Sequence, residues 1–159
     1  MARIIPNQNT WVGFASAVSN IAAPTAAEVN AAIDLTSFVI SLNASSQGNV
    51  VPTPAFDTLF ETSIIGTSTA TFTGDFYRDT ASNNDKAWTA LPRTTVGWFI
   101  ISRFGGSGTG HKPITGDKVE VWPVTVTSRT MANMSNNTVL MFTVTCSVPA
   151  EPNESATVA

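Results

Sequence analysis

Thr67-Ser68-Thr69-Ala70-Thr71-Phe72-Thr73-Gly74-Asp75-Phe76-Tyr77 decides the fold. Its odd positions carry Thr67, Thr69, Thr71, Thr73 and Asp75, and its even positions carry Ala70, Phe72 and Phe76 with Gly74 between them. A strand sends successive side chains to opposite faces, so this alternation predicts a strand with one face of hydroxyls and a carboxylate and one apolar face. Threonine is β-branched and suits a pleated surface while leaving it polar. Arg78 to Ser82 breaks the pattern, and Asn83 to Leu91 reads as a short helix with Ala87, Trp88 and Leu91 for packing. Pro92 ends it, because the residue before a proline is pushed out of the helical region. Trp98-Phe99-Ile100-Ile101 then reads as a strand buried on both faces. A helix between two strands predicts a helix lying across a sheet or plugging the end of a barrel.

Working outward, Trp11-Val12-Gly13-Phe14-Ala15 predicts a first strand, whose aromatics either enter the core or anchor the preceding arm on a neighbour. Residues 1–9 read as an extended N-terminal arm and Ser16 to Pro24 as loop. Thr25-Ala26-Ala27-Glu28 is a capping box, which starts a helix through about Ile33. Ser37 to Leu42 predicts a strand with Phe38, Ile40 and Leu42 on one face. Asn43 to Pro54 reads as a long polar loop, and Ala55 to Ile65 as a helical turn or a strand, with strand after Glu61. Val119 to Thr127 is a strand that Pro123 places at an edge or a bulge, since proline donates nothing to a ladder. Ser128 to Asn137 predicts a hairpin connection. Thr138 to Val148 predicts the last strand, with Leu140, Phe142, Val144, Cys146 and Val148 inward, and residues 149–159 read as a polar C-terminal tail.

The 159 residues read as one domain, large enough to bury about 70% of its unfolded surface. The chain is 43% hydrophobic but only 12% charged, with a net charge of −3. Its polarity comes from Thr, Ser and Asn, and so small a charged surface suits a protein covered by neighbours. Eight scattered Lys and Arg residues give no clustered basic footprint, which argues against sequence-specific nucleic-acid binding. The one cysteine, Cys146, reads as a core residue and permits no internal disulfide. The opening residues match no signal peptide and no apolar run spans a bilayer, so the expectation is a protein made in the cytoplasm of its producing cell, without membrane contact.

The reactive inventory is thin. Gly105-Gly106-Ser107-Gly108-Thr109-Gly110 is followed by His111-Lys112-Pro113, where a phosphate loop needs Lys then Ser or Thr, so it reads as a flexible connection. His111 is the only histidine, no strained serine turn accompanies it, and a metal site would need more histidines or cysteines. Asp75, Asp79 and Asp85 suggest a carboxylate site for a hard cation, but Asp79 and Asp85 flank a helix start, where a carboxylate favours the dipole. The expectation is no catalytic residue, no cofactor and no metal.

The capped helix Thr25 to Ile33 leading into Asp34-Leu35-Thr36-Ser37-Phe38, then Asp75-Phe76-Tyr77-Arg78-Asp79, Asp85-Lys86-Ala87-Trp88, Gly116 to Val124 and Phe142-Thr143-Val144-Thr145-Cys146, resembles the tail tube (major tail) proteins of long-tailed bacteriophages, particularly those of actinobacteria. The resemblance implies a mainly β fold, a β-sandwich or partly closed β-barrel with one flanking α-helix and a second short helix near the N-terminus. It implies six-membered rings whose sheets join around a lumen. The rings stack around a tape measure protein, with tail terminator and tail-tip proteins at the ends, in a virion tail that conducts DNA. On that reading Thr69, Thr71, Thr73 and Asp75 face the lumen, while Asn43, Ser45, Ser46, Asn49 and Pro52, with both termini, contact the next ring. The rivals are an immunoglobulin-like binding or decoration domain on a virion or cell surface and a bacterial secretion-tube protein.

Overall fold

The computed structural model describes residues 9–57, 59–80 and 84–159. The strands, in chain order, are β1 (Trp11–Ala15), β2 (Ile33–Asp34), β3 (Val39–Thr53), β4 (Thr62–Tyr77), β5 (Val96–Ser102), β6 (Lys118–Met131), β7 (Met141–Ser147) and β8 (Asn153–Thr157). Two short helices, α1 (Ala26–Ala31) and α2 (Lys86–Ala90), interrupt them. All strands join one antiparallel sheet in the order β2-β1-β5-β6-β7-β4-β3, with β8 on the other side of β6 from β5.

The sheet folds over on itself without closing. β4 and β5 lie three strand steps apart, about 14 Å on a flat sheet, yet Phe72 of β4 stacks on Phe99 of β5 with ring centroids 4.4 Å apart. Phe99 also meets Phe14 of β1 edge-on at 5.2 Å. This inner core holds Phe72, Phe76, Trp122, Phe142, Val144 and Cys146, and α2 adds Ala87 and Leu91 to it. A second cluster forms on the outer side of β1, β5 and β6, where α1 and β8 press Val29, Ala156 and Val158 against Trp11, Ile100 and Val121. Hence β5 is apolar on both faces, as its sequence predicts. Gly97 allows the close pairing of β1 and β5, since a Cβ there would sit 2.3 Å from the Phe14 ring and 2.7 Å from the Ala15 carbonyl oxygen.

The capping box forms as expected: Glu28 N–H donates to Thr25 Oγ1 at 3.2 Å, and Thr25 N–H donates to Glu28 Oε2 at 2.8 Å. Glu28 Oε1 also accepts from Ser19 N–H at 2.8 Å, which ties the preceding loop to the helix. These bonds hold the Glu28 carboxyl at a pKa of about 2, with the Thr25 amide bond the largest cause.

Several expectations need correction. Residues 43–53 are not a loop but most of β3, paired with β4 along its length. A bulge between Val39 and Ser41 shifts the phase, so Ile40 turns outward while Phe38, Val39 and Leu42 pack on the core. Residues 149–159 are not an unpacked tail, because β8 pairs with β6 and buries Ala156 and Val158. β6 is central rather than at an edge. It pairs β8 up to Val121 and β7 from Thr125, so the side away from β5 is vacant at Pro123, where the missing donor costs nothing. β6 also runs on to Met131, inside the stretch expected as a connection. The helix expected from Asn83 is α2 from Lys86, and Asn83 itself, like residues 1–8 of the expected arm, lies outside the described residues.

Candidate assembly surfaces

The register of β3, β4, β7 and β6 puts one set of polar side chains on one face. Thr69, Thr71, Thr73 and Asp75 lie opposite Gln47, Ser45, Asn43 and Ser41 of β3. On the other side Thr71, Thr73 and Asp75 lie opposite Ser147, Thr145 and Thr143 of β7. Those three in turn face Thr125, Ser128 and Thr130 of β6. The result is a carpet of hydroxyls and amides four strands wide, on the face turned away from the inner core. Neighbours on it bond across strands: Ser45 Oγ and Thr71 Oγ1 are 3.0 Å apart, and Thr127 Oγ1 donates to the Thr145 carbonyl at 2.9 Å.

Asp75 is the only ionisable residue among those paired positions. Its two oxygens accept from Ser41 Oγ and Thr143 Oγ1, each at 2.6 Å, so it clamps β3, β4 and β7 together. The Ser41 bond first, and the Thr143 bond after it, hold its carboxyl below the usual range. Those paired positions therefore carry a fixed negative charge at neutral pH and no positive one.

The second surface is the β3–β4 hairpin. β7 covers β4 only as far as Thr71, so the pairs from Gln47–Thr69 to Thr53–Thr62 project beyond the sheet. Seven strand positions at about 3.3 Å make that projection about 23 Å long before its turn. Its outer part is apolar and exposed: Val50, Val51, Ile64 and Ile65 on the arms, and Phe56, Leu59 and Phe60 at the tip, the first two with relative exposures of 115% and 110%. A lone soluble subunit rarely shows so much contiguous apolar surface. In the sequence, Phe56, Leu59, Phe60, Ile64 and Ile65 fall in a stretch read as helical turn or strand, and Val50 and Val51 in the expected loop. Their signal was a set of large apolar residues without alternation on both sides of Pro52 and Pro54.

The structure thus brings together two groups that the sequence kept apart. Asn43 and Ser45, expected on a ring-contact loop, share the hydroxyl face with Thr73 and Thr71. Ser46 pairs with Ala70 on the opposite face, Asn49 donates through Nδ2 to Thr67 Oγ1 at 3.1 Å in a bulge, and Pro52 pairs with Ser63 near the tip.

The glycine-rich stretch is a knitted turn. Asp117 accepts from Ser107 N–H and Oγ, both at 2.7 Å, and from Ile114 N–H at 2.9 Å. Gly106 N–H donates to the His111 carbonyl at 2.7 Å. Asp117 is thus engaged in holding the loop. Burial pushes the Cys146 thiol up to about 12, which keeps it unreactive. Asp85 binds Arg78 at 2.7 Å, and Arg78 and Arg129 both stack on Trp88, at 3.9 and 3.4 Å from its ring centroid. That cluster fastens α2 to the sheet. Among the described residues no group of three metal-ligating side chains comes together.

A folded-over β sheet with a projecting apolar hairpin and a hydroxyl-rich face defines a structural subunit built for contact with other chains. Sequence comparison gives the class its family: the model of the phage tail tube proteins matches residues 1–159, and the chain belongs to that family. It is accordingly a structural protein of the virion tail, not an enzyme. No curated protein matches the sequence significantly. Among solved structures, a chain of the native gene transfer agent virion is similar at TM-score 0.61 and 10% identity, over 98% of this chain and 100% of that one. A chain of the tail of the empty gene transfer agent particle, computed with C6 symmetry, is similar at TM-score 0.60 and 11% identity, over 96% and 100%. A chain of the anti-feeding prophage baseplate, six-fold symmetrised, is similar at TM-score 0.56 and 11% identity, over 96% of each. At such identities the likeness is one of fold.

Proposed function

We propose that copies of this chain close into six-membered rings and that the rings stack into the tail tube, with the hydroxyl face toward the lumen. The observation that carries this is β3. It is the last strand of the sheet, and its outer side is unpaired among the described residues for fifteen positions. Exposed edges of that length are normally guarded by charges, because they template pairing with other chains. No Asp, Glu, Lys or Arg occurs from Leu35 through Thr53, and Pro52 is the one proline on the strand. An unguarded edge fits a strand that another subunit completes.

In such a ring the carpet of Thr69, Thr71, Thr73 and Asp75 lines the channel. Its hydroxyls keep the wall hydrated, and its one carboxylate per subunit repels phosphate, so DNA slides rather than sticks. The tape measure protein fills the channel before DNA does, and terminator and tip proteins cap the stack. The uncharged arm of β3, with Ser46, Asn49 and Pro52 along it, and the hairpin tip make the contacts between rings. Subunit interfaces of obligate size, thousands of Å², follow from this arrangement.

Negative-stain microscopy of the purified protein over a concentration series tests the reading. Hollow rings or tubes are expected. Uniform monomer-sized particles at every concentration, with or without the tape measure protein, would refute it. The likeness to the anti-feeding prophage chain favours one rival, a tube of a secretion particle, which the presence or absence of packaged DNA separates from a phage tail.

A further inference from the structure

A groove of about 680 Å³ opens where the two margins of the folded-over sheet approach each other. Val12 of β1, Ile101 at the end of β5, Phe104 just after it, and Val39, Ile40 and Leu42 at the root of β3 supply its apolar wall. Phe104 and Ile40 remain substantially exposed. The volume is that of a binding cleft rather than a packing defect.

We infer that this groove receives the hairpin tip of a second copy, Phe56, Leu59 and Phe60 seating against Val39, Ile40, Leu42 and Phe104. The inference rests on the tube reading and names the receiving surface that reading leaves open. Three features favour this occupant. First, the tip presents three large apolar side chains, and its own subunit's groove lies at the far end of the same hairpin. From Leu42 to Thr53 the strand rises about 36 Å, so the tip reaches only another copy's root. Second, the groove's lining contains one cation, Arg103, and no carboxylate to oppose an acidic tip. No Lys or Arg occurs between Arg3 and Arg78, and the tip carries Asp57 and Glu61. The groove's rim carries Arg103, which pairs with Glu120 through Nε and Nη2 yet keeps a side-chain exposure of 48%. Third, tip and groove are different patches of one chain. A contact between different patches is heterologous and repeats from copy to copy, which is the geometry that rings and stacks need. The hairpin length then caps the step from copy to copy along its axis at about 40 Å.

The test uses the full chain with Ile40→Cys and Phe56→Cys combined, assembled and then mildly oxidised. Both positions are exposed, and the buried Cys146 stays out of the reaction. A ladder of covalent multimers is expected from the double variant, and only covalent dimers from an equal mixture of the two single variants. Tubes that form without either product overturn the tip-in-groove contact and leave the tube reading standing. Bonding of Ile5→Cys, in place of Phe56→Cys, to Ile40→Cys also overturns it, by assigning the groove to the N-terminal arm. If the unmodified protein assembles at no concentration, both readings fall together.

Discussion

Replacing Thr69 by lysine tests which face lines the channel. Thr69 is exposed, lies opposite Gln47, and makes no core contact, so the substitution costs a few tenths of a kcal/mol at most. Glu151, which lines a cleft with Thr69, is removed by making the substitution together with Glu151→Gln. Along β4 the nearest carboxylate is Asp75, six strand positions away, or about 20 Å. That is twice the Debye length of about 10 Å at 0.1 M salt, so the new amine keeps its charge unneutralised by Asp75. A six-membered ring then gains six amines on a wall that held only carboxylates. Each phosphate a lysine neutralises contributes about −0.9 to the slope of log affinity against log salt. Six contacts therefore make duplex binding fall about a thousand-fold between 50 and 200 mM salt. Thr73→Lys is the internal control. It stands two positions, about 7 Å, from Asp75 and pairs with it, so its slope stays shallow. The assay is retention of short duplex DNA by assembled tubes over a salt series, followed by nuclease. Wild-type tubes retain little, and DNA held by Thr69→Lys tubes survives digestion. Bound DNA that the nuclease removes completely would place the hydroxyl face on the outside and refute the assignment of Thr69, Thr71, Thr73 and Asp75.

Two further predictions concern the fold. The Glu28 carboxyl, with a pKa of about 2 against an ordinary 4.5, contributes stability that is present above pH 4.5 and lost as pH falls from 4.5 towards 2. Because solvent screens so exposed a group, Glu28→Ala should cost about 1 kcal/mol at pH 7, and the deficit should vanish near pH 2 in urea titrations; a deficit unchanged at pH 2 would sink the capping argument. Removing residues 152–159 strips Ala156 and Val158 from Trp11, Val119 and Val121 and should lower stability by about 3 kcal/mol, read as a lower urea midpoint, whereas an unpacked tail would leave the midpoint unmoved.

What the sequence disclosed was what local chemistry controls. Thr25 and Glu28 announce a helix start because both partners of the bond lie within one turn. Phe72 and Phe76, and Phe142, Val144 and Cys146, announce their faces because one side of each strand is buried by the chain itself. β3 was hidden for the converse reason. Neither face of a projecting hairpin is buried by its own subunit, so nothing forces residues 47–53 to alternate, and Gly48, Asn49 and Pro52 read as loop. β8 was hidden because Asn153 to Thr157 is polar and gains its structure from β6, which lies far upstream in the chain. Pro123 misled because its cost depends on which neighbour strand ends where, a fact of topology rather than composition. The hydroxyl face was half legible. Its β4 row follows from alternation, while the β3 row that completes it, Ser41 to Gln47, required the register.

The two bulges in β3 connect these observations. One falls between Val39 and Ser41, at the groove, and the other between Gly48 and Val50, where the hairpin has already left β7 behind. A bulge adds local right-handed twist and bends its strand. Natural sheets use bulges to turn an edge away from pairing, and usually add charge for the same end. Here the bulges come without charge, so they re-aim the strand without disarming it. The first turns Ile40 out of the core phase and into the groove. The second comes just before Val50, Val51, Ile64 and Ile65 turn apolar and exposed. A chain selected to stay alone gains nothing from steering an uncharged edge with an apolar end. A chain selected to meet copies of itself gains a direction for the arm and a register for the edge, both set within one strand.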